Sequence, residues 1–256
     1  MLLAIDVGNT NIVVGVFKDK DLIHSWRLTT IRERTSDELG ILVASLCDRH
    51  GIRRQEITGI VVASVVPPLT ATLMKMVTDY FGQTALLFEP AVNGKMPILI
   101  DKPSEVGADR VVNSIAAFDT YGKGLPLIVV DFGTATTFDA VSAKGEYLGG
   151  IICPGPKLSA EALFQRAARL PRIDVAKPAR VIGTNTVAAM QSGLFWGYVD
   201  MVEGLVRRMK AELGGAAVVV ATGGLASVVA PESSEIEHVD EELTLRGLRL
   251  VWERRQ

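Results

Sequence analysis

Two short runs in this chain place an acid, a glycine and small polar side chains in the same order: Asp6-Val7-Gly8-Asn9-Thr10-Asn11 and Asp131-Phe132-Gly133-Thr134-Ala135-Thr136-Thr137. That set of residue types suits phosphate oxygens and a cation. Glycine lacks a Cβ, so an anion can approach the backbone N–H groups closely. Amides and hydroxyls add donors, and a carboxylate at a strand end can hold a hydrated Mg²⁺, which takes one or two carboxylates beside phosphate oxygens. Alone, the first run reads equally as a tight β-hairpin with Asn and Gly at the bend. The repeat changes the balance. Laid over each other without gaps at a spacing of 125 residues, Asp6 falls on Asp131, Gly8 on Gly133, and Asn9-Thr10 on Thr134-Ala135. Fold symmetry can duplicate hairpins. The hydroxyls of Thr134, Thr136 and Thr137, with Asp139 close behind, nevertheless need partners on a turn this apolar on both sides. The reading favoured here is two phosphate turns on two like halves able to close on one nucleotide.

Between the copies lies Glu105-Val106-Gly107-Ala108-Asp109-Arg110, at an expected helix start. Arg110 offers a planar fork for a carboxylate or phosphate, and Asp109 can accept a proton from a hydroxyl. A capping Asp beside a surface Arg explains the pair equally well in isolation. The glycine segments Gly149–Gly155 and Ala221-Thr222-Gly223-Gly224 each follow a strand and precede helical sequence, where a flat base or ribose can lie against backbone. They serve as strand stops just as readily. Asn185-Thr186 precedes a long helical pattern, and an N-cap accounts for one of them.

The elements that must position these residues alternate. Apolar strands are expected at 2–7, 12–17 and 22–30, a helix from Thr35 or Ser36 to near Gly51, a doubly buried strand at 59–66 closed by Pro67-Pro68, a helix at 69–81 and a short strand at 86–89. A helix begins near Glu105. The pattern then restarts with strands at 127–131, 136–141 and 146–152, helices at 157–169 and 185–212, a buried strand at 218–222 and a last helix at 241–254. A three-strand meander followed by helices and strands occurs twice, which predicts an α/β protein of two related halves, 1–122 and 123–256.

Composition narrows the class. The 256 residues are 48% hydrophobic, enough for a large core, and 27 basic against 29 acidic residues give a net charge of −2. No basic field is available for nucleic acid. The basic C-terminal run RGLRLVWERRQ reads as the solvated face of the last helix. Cys47 and Cys153 read as free thiols, and His24, His50 and His238 have no zinc spacing. With no signal peptide or membrane-length apolar run, a cytoplasmic location without membrane association is expected.

The ordered set DVGNTN, EVGADRVVN, DFGTATTFD, GGIICPG, NTVAAMQSG and ATGGLA resembles type III pantothenate kinases, from Met1 to about Arg249. Those belong to the superfamily of acetate and sugar kinases, Hsp70 and actin. The resemblance implies two actin-like (ribonuclease H-like) halves, a homodimer, and ATP-dependent phosphorylation of pantothenate, the first step of coenzyme A synthesis. By motif position, Asp6, Val7, Gly8, Asn9, Thr10 and Asn11 are similar to a first phosphate loop with Mg²⁺ held by Asp6 through water. Gly133 and Thr134 correspond to a second ATP contact, with Gly223 and Gly224 on the adenosine side, and Asp131 to the ligand of a monovalent cation, K⁺ or NH₄⁺. Gly107, Ala108, Asp109 and Arg110 correspond to the pantothenate site with Asp109 as proton acceptor, and Thr186 to a further substrate contact across a dimer interface. Ile100 stands near where the family often carries an aromatic residue. A non-catalytic relative acting as a transcriptional activator or nucleotide-binding scaffold is the alternative.

Overall fold

A computed structural model describes residues 1–255. In chain order the elements are β1 (Leu2–Val7), β2 (Asn11–Lys18), β3 (Asp21–Thr29), α1 (Ser36–Arg49), β4 (Gly59–Ser64), α2 (Pro67–Phe81), β5 (Leu86–Leu87), α3 (Pro90–Asn93), α4 (Ala108–Tyr121), β6 (Leu127–Phe132), β7 (Ala135–Val141), β8 (Tyr147–Pro154), α5 (Pro156–Arg166), α6 (Thr186–Glu212), β9 (Val218–Thr222), α7 (Ala226–Val229), β10 (His238–Val239) and α8 (Leu243–Glu253). The strands form two five-stranded mixed sheets, ordered β3-β2-β1-β4-β5 and β8-β7-β6-β9-β10. The two orders match strand for strand. In each, the first strand of the meander pairs antiparallel with the second and parallel with a later strand. The α/β architecture of two related halves is therefore present.

Both central strands are buried on two faces, which is why they read as continuous apolar runs. Leu3, Ile5 and Val7 of β1 join a core with Leu39, Val43, Leu69 and Leu73 from α1 and α2. Ile128, Val130 and Phe132 of β6 join one with Phe195, Val199 and Val202 from α6. Because side chains alternate along a strand, Asp6 and Asp131 point to the opposite face of their sheets in the same way. Each such fully buried aliphatic side chain is worth about 1.5–3 kcal/mol.

Local chemistry sets the helix ends. Thr35 caps α1 through a capping box with Glu38. Pro67 and Pro68, expected to precede a helix, are instead its first residues, where a missing N–H costs nothing. A 3-10 turn at Pro103–Glu105 stands where a helix was expected to begin, and α4 starts at Ala108. Cys47 is a buried free thiol, pushed up to about 11 by burial and then by Asp48.

The compact units are not the expected 1–122 and 123–256. One comprises Met1–Met96, Asp101–Ala116 and the chain from Leu243 onward; the other comprises Pro97–Ile100 and Ala117–Glu242. The last helix returns to the first unit, where α8 packs on β1, β2 and β4. Glycines make room for it: a Cβ on Gly59 would lie 2.2 Å from the Trp252 ring, and one on Gly247 would lie 2.3 Å from the Val112 carbonyl oxygen. Thr244 Oγ1 donates to Asn113 Oδ1 at 2.8 Å. The basic run on α8 is also not simply a solvated face. Arg249 is buried, pairs with Glu253, and lies over the Phe17 ring with Cζ 6.0 Å from its centroid.

Candidate active site

In the first unit, β1 and β2 pair up to Val7↔Ile12, leaving Gly8 to Asn11 as the turn. Gly8 N–H donates to the Asn11 carbonyl at 2.9 Å. The far side is held by Thr30, just past β3: its N–H donates to the Thr10 carbonyl at 2.9 Å and its hydroxyl to the Gly8 carbonyl at 2.7 Å. Asn9 and Thr10 are exposed at the tip, while Asp6, Gly8 and Asn11 are partly buried beneath it. Thr30 was not singled out in the sequence, since a threonine at a strand end carries no signal of a partner 22 residues away.

In the second unit, β6 and β7 pair up to Phe132↔Thr136, so the turn is one residue shorter, Gly133 to Ala135. The gapless overlay is correct for Asp6/Asp131 and Gly8/Gly133 and fails beyond them. Counted back from the return strands, Thr134 matches Thr10, and its carbonyl accepts the Gly155 N–H at 3.1 Å as that of Thr10 accepts Thr30. Two of the hydroxyl and acid candidates are not at the turn. Thr136 is buried on the Phe138 side of β7, with its hydroxyl unpartnered. Asp139 is fully buried and accepts from Tyr147 Oη at 2.6 Å and Thr137 Oγ1 at 3.2 Å. Gly133 and Thr134 stay exposed.

Gly223 is brought against Asp131. It adopts φ +91°, and a Cβ there would lie 2.3 Å from Asp131 Oδ1 and 2.7 Å from the Phe132 nitrogen. The turn after β9 thus closes on the carboxylate, with Asp131 and Thr222 in register. Gly224 is the next residue of that turn.

Gly107 ends the loop before α4, and Asp109 sits in the helix's first turn, where the dipole favours an acid. The Arg110 N–H donates to Asp109 Oδ1 at 2.8 Å. A Cβ on Gly107 would come within 2.5 Å of that oxygen, so the glycine makes the seat for the carboxylate. Ala108 is buried and Arg110 partly buried. Burial pushes the Asp109 carboxyl above its usual range, opposed by the Arg110 N–H and the Arg110 charge. A carboxyl raised this way burdens the fold only when ionised. The penalty is absent below the usual carboxylate range, grows as pH rises from there to the raised value, and is constant above it.

Asn185 is the N-cap of α6, with Oδ1 accepting the Ala188 N–H at 2.9 Å. That leaves Thr186 outside the cap, exposed in the first turn and lining an open apolar cavity of about 530 Å³ with Leu163, Leu170, Met190 and Leu194.

Comparison with known proteins decides the family. A model of the type III pantothenate kinase family matches residues 2–208. The chain belongs to this family. The type III pantothenate kinase of Myxococcus xanthus is 58% identical over 254 residues, covering 99% of this chain and 98% of that one. That of Moorella thermoacetica is 54% identical, covering 99% of each. Solved structures share the fold: a Campylobacter jejuni protein described as a Baf family transcriptional activator superposes with TM-score 0.61 at 19% identity, covering 98% of this chain and 97% of that one. MreB 5 of Spiroplasma citri bound to AMPPNP gives TM-score 0.56 at 9% identity, covering 98% and 96%. The structural likenesses speak to fold alone; the kinase family is matched in sequence over nearly the whole chain.

Proposed function

We propose that this protein transfers the terminal phosphoryl group of ATP to the primary hydroxyl of pantothenate, giving 4'-phosphopantothenate in coenzyme A synthesis. Family membership carries the activity, and the observation that best supports the residue roles is the Gly107–Arg110 turn. There a carboxylate is seated by a missing Cβ, held by one backbone N–H and raised by burial. Asp109 accepts the substrate hydroxyl's proton and orients its oxygen for attack. Arg110, beside it, anchors substrate with Gly107 and Ala108. In phosphoryl transfer the protein mainly positions groups and neutralises charge.

The Asp6–Asn11 turn takes the nucleotide phosphates on its N–H groups and the Asn9, Thr10 and Asn11 side chains. Thr134 makes a further ATP contact, and Gly223-Gly224 lie on the adenosine side. The oxygen-only donors fit hard cations. Among the described residues no three His, Cys, Asp or Glu side chains gather in one cage, and Mg²⁺ shared with phosphate requires only one or two carboxylates. Asp6 would hold Mg²⁺ and Asp131 would hold K⁺ or NH₄⁺. When bound, these ions offset phosphate charge. Thr186 contacts pantothenate from a second copy in a homodimer. Exposed Leu163, which lines the cavity beside Thr186, and exposed Val181 and Ile182 just before α6 support such a contact. Among the described residues no helix is long and apolar enough to cross a membrane, and a cytoplasmic location is part of this proposal. The activator or scaffold alternative is not favoured, since the relatives matched at 50–58% identity are pantothenate kinases.

Coupled ATP turnover with and without pantothenate tests the activity, and Asp109→Asn tests the role. The variant loses about 10²–10⁴-fold in turnover. It keeps ATP binding and melts at or above the wild-type temperature at neutral pH, because the ionised carboxyl's penalty is gone. Wild-type turnover in the variant removes Asp109 from the mechanism.

A further inference from the structure

The nucleotide hairpin of the second unit rests on a turn that is itself tied to the long helix. Gly155 sits directly under the hairpin: a Cβ on it would lie 2.4 Å from the Thr134 carbonyl oxygen and 2.6 Å from that of Gly133. Its N–H donates to Thr134 at 3.1 Å. The backbones touch with no side chain between them, so any shift of the Pro154–Gly155 turn moves Thr134. The turn is fixed from the other side by Tyr198 of α6. The Tyr198 hydroxyl donates to the Pro154 carbonyl at 2.6 Å, and Ser159 Oγ lies 2.7 Å from it. With its single proton committed to Pro154, the phenol accepts from Ser159. Ser159 is tied in turn to the same turn, through its N–H to the Gly155 carbonyl at 2.9 Å. Around them Tyr198, Ala160 and Leu194 form a small buried cluster, where a hydroxyl is costly unless paired.

We propose that Tyr198 is a positioning residue for ATP: its hydroxyl clamps the Pro154–Gly155 turn and so fixes the height of the Gly133–Thr134 hairpin against the nucleotide. The proposal rests on the reading of Thr134 as an ATP contact. It also gives α6 a second task. Thr186 opens the helix, and Tyr198 lies twelve residues on, about 18 Å along its axis, so one rigid rod carries a substrate-side threonine and the strut of the nucleotide hairpin. The conservation of volume in Tyr198→Phe isolates the hydroxyl from the packing of the ring.

Steady-state kinetics of the full chain test this with four variants. Tyr198→Phe raises KM for ATP roughly threefold to tenfold, the worth of one buried hydrogen bond, with kcat and KM for pantothenate within about twofold of wild type. Gly155→Ala, which must push the Thr134 carbonyl away, moves KM for ATP further in the same direction. Val202→Ala, in the larger core of the same helix, lowers the melting temperature without that split. Thr134→Ala checks the reading beneath the proposal. If Thr134→Ala raises KM for ATP while Tyr198→Phe does not, the clamp is wrong and the hairpin reading stands. If Tyr198→Phe raises both KM values together, the residue is only structural and the clamp is wrong. If Thr134→Ala leaves KM for ATP unchanged, the nucleotide reading falls and takes the proposal with it.

Discussion

The two hairpins have the same strand order and pairing, yet they are built to different tolerances. The first carries Asn9, Thr10 and Asn11 on a turn of four residues and is braced by the side chain and backbone of Thr30. The second is a residue shorter, with the Gly155 backbone under one side and Gly223 against Asp131. A side-chain brace leaves room for adjustment. A glycine brace does not, because any added atom meets a carbonyl or a carboxylate. The comparison teaches that one frame carries two differently built turns, which is what the proposed division of roles requires. A polar, exposed tip suits the changing phosphates of Mg·ATP, and a tightly seated carboxylate suits one ion of fixed size.

If that contrast is right, damage to the second hairpin costs more than damage to the first. Gly223→Ala should have the largest effect on the fold. The new Cβ meets Asp131 Oδ1 and the Phe132 backbone at a φ of +91°, so overpacking and strain cost about 1–3 kcal/mol. Denaturant unfolding checks this, and dependence on the monovalent cation should be lost with it. Wild-type stability would mean that the Gly223 turn yields freely and the contrast is false. Thr30→Val removes the hydroxyl bond to Gly8 but keeps the N–H bond to Thr10, and should cost about 1 kcal/mol with a modest rise in KM for ATP. Thr136→Val should have the smallest effect. Its hydroxyl is buried without a partner, so its loss is neutral or stabilising by up to about 1 kcal/mol, and turnover is unchanged. A large loss of activity in Thr136→Val would restore that hydroxyl to the nucleotide site.

Much of this was legible in the sequence. Continuous apolar runs betrayed the doubly buried strands, and the repeat of acid and glycine located both hairpins. What stayed hidden has physical reasons. A gapless overlay cannot see a turn shortened by one residue, because the return strands are apolar in either register. Thr136 and Asp139 read as turn residues because β7 starts at once, and alternation then turns Thr136 toward Phe138. The pattern of α8 revealed an apolar face but not which sheet it covers, so the boundary at residue 122 missed its return to the first unit. Thr30, Gly155 and Tyr198 act through backbone carbonyls, and any residue type leaves a carbonyl to bond.

The unequal roles of the two acids are the centre of this account, and one experiment addresses them directly. Turnover of wild type, Asp6→Asn and Asp131→Asn is titrated separately with K⁺ at saturating Mg·ATP and with Mg²⁺ at saturating K⁺. The account predicts that Asp131→Asn loses its response to K⁺ and keeps the wild-type Mg²⁺ midpoint, whereas Asp6→Asn shifts the Mg²⁺ midpoint upward and still responds to K⁺. Equal shifts of both midpoints in both variants would contradict it, and the two hairpins would then be one site used twice.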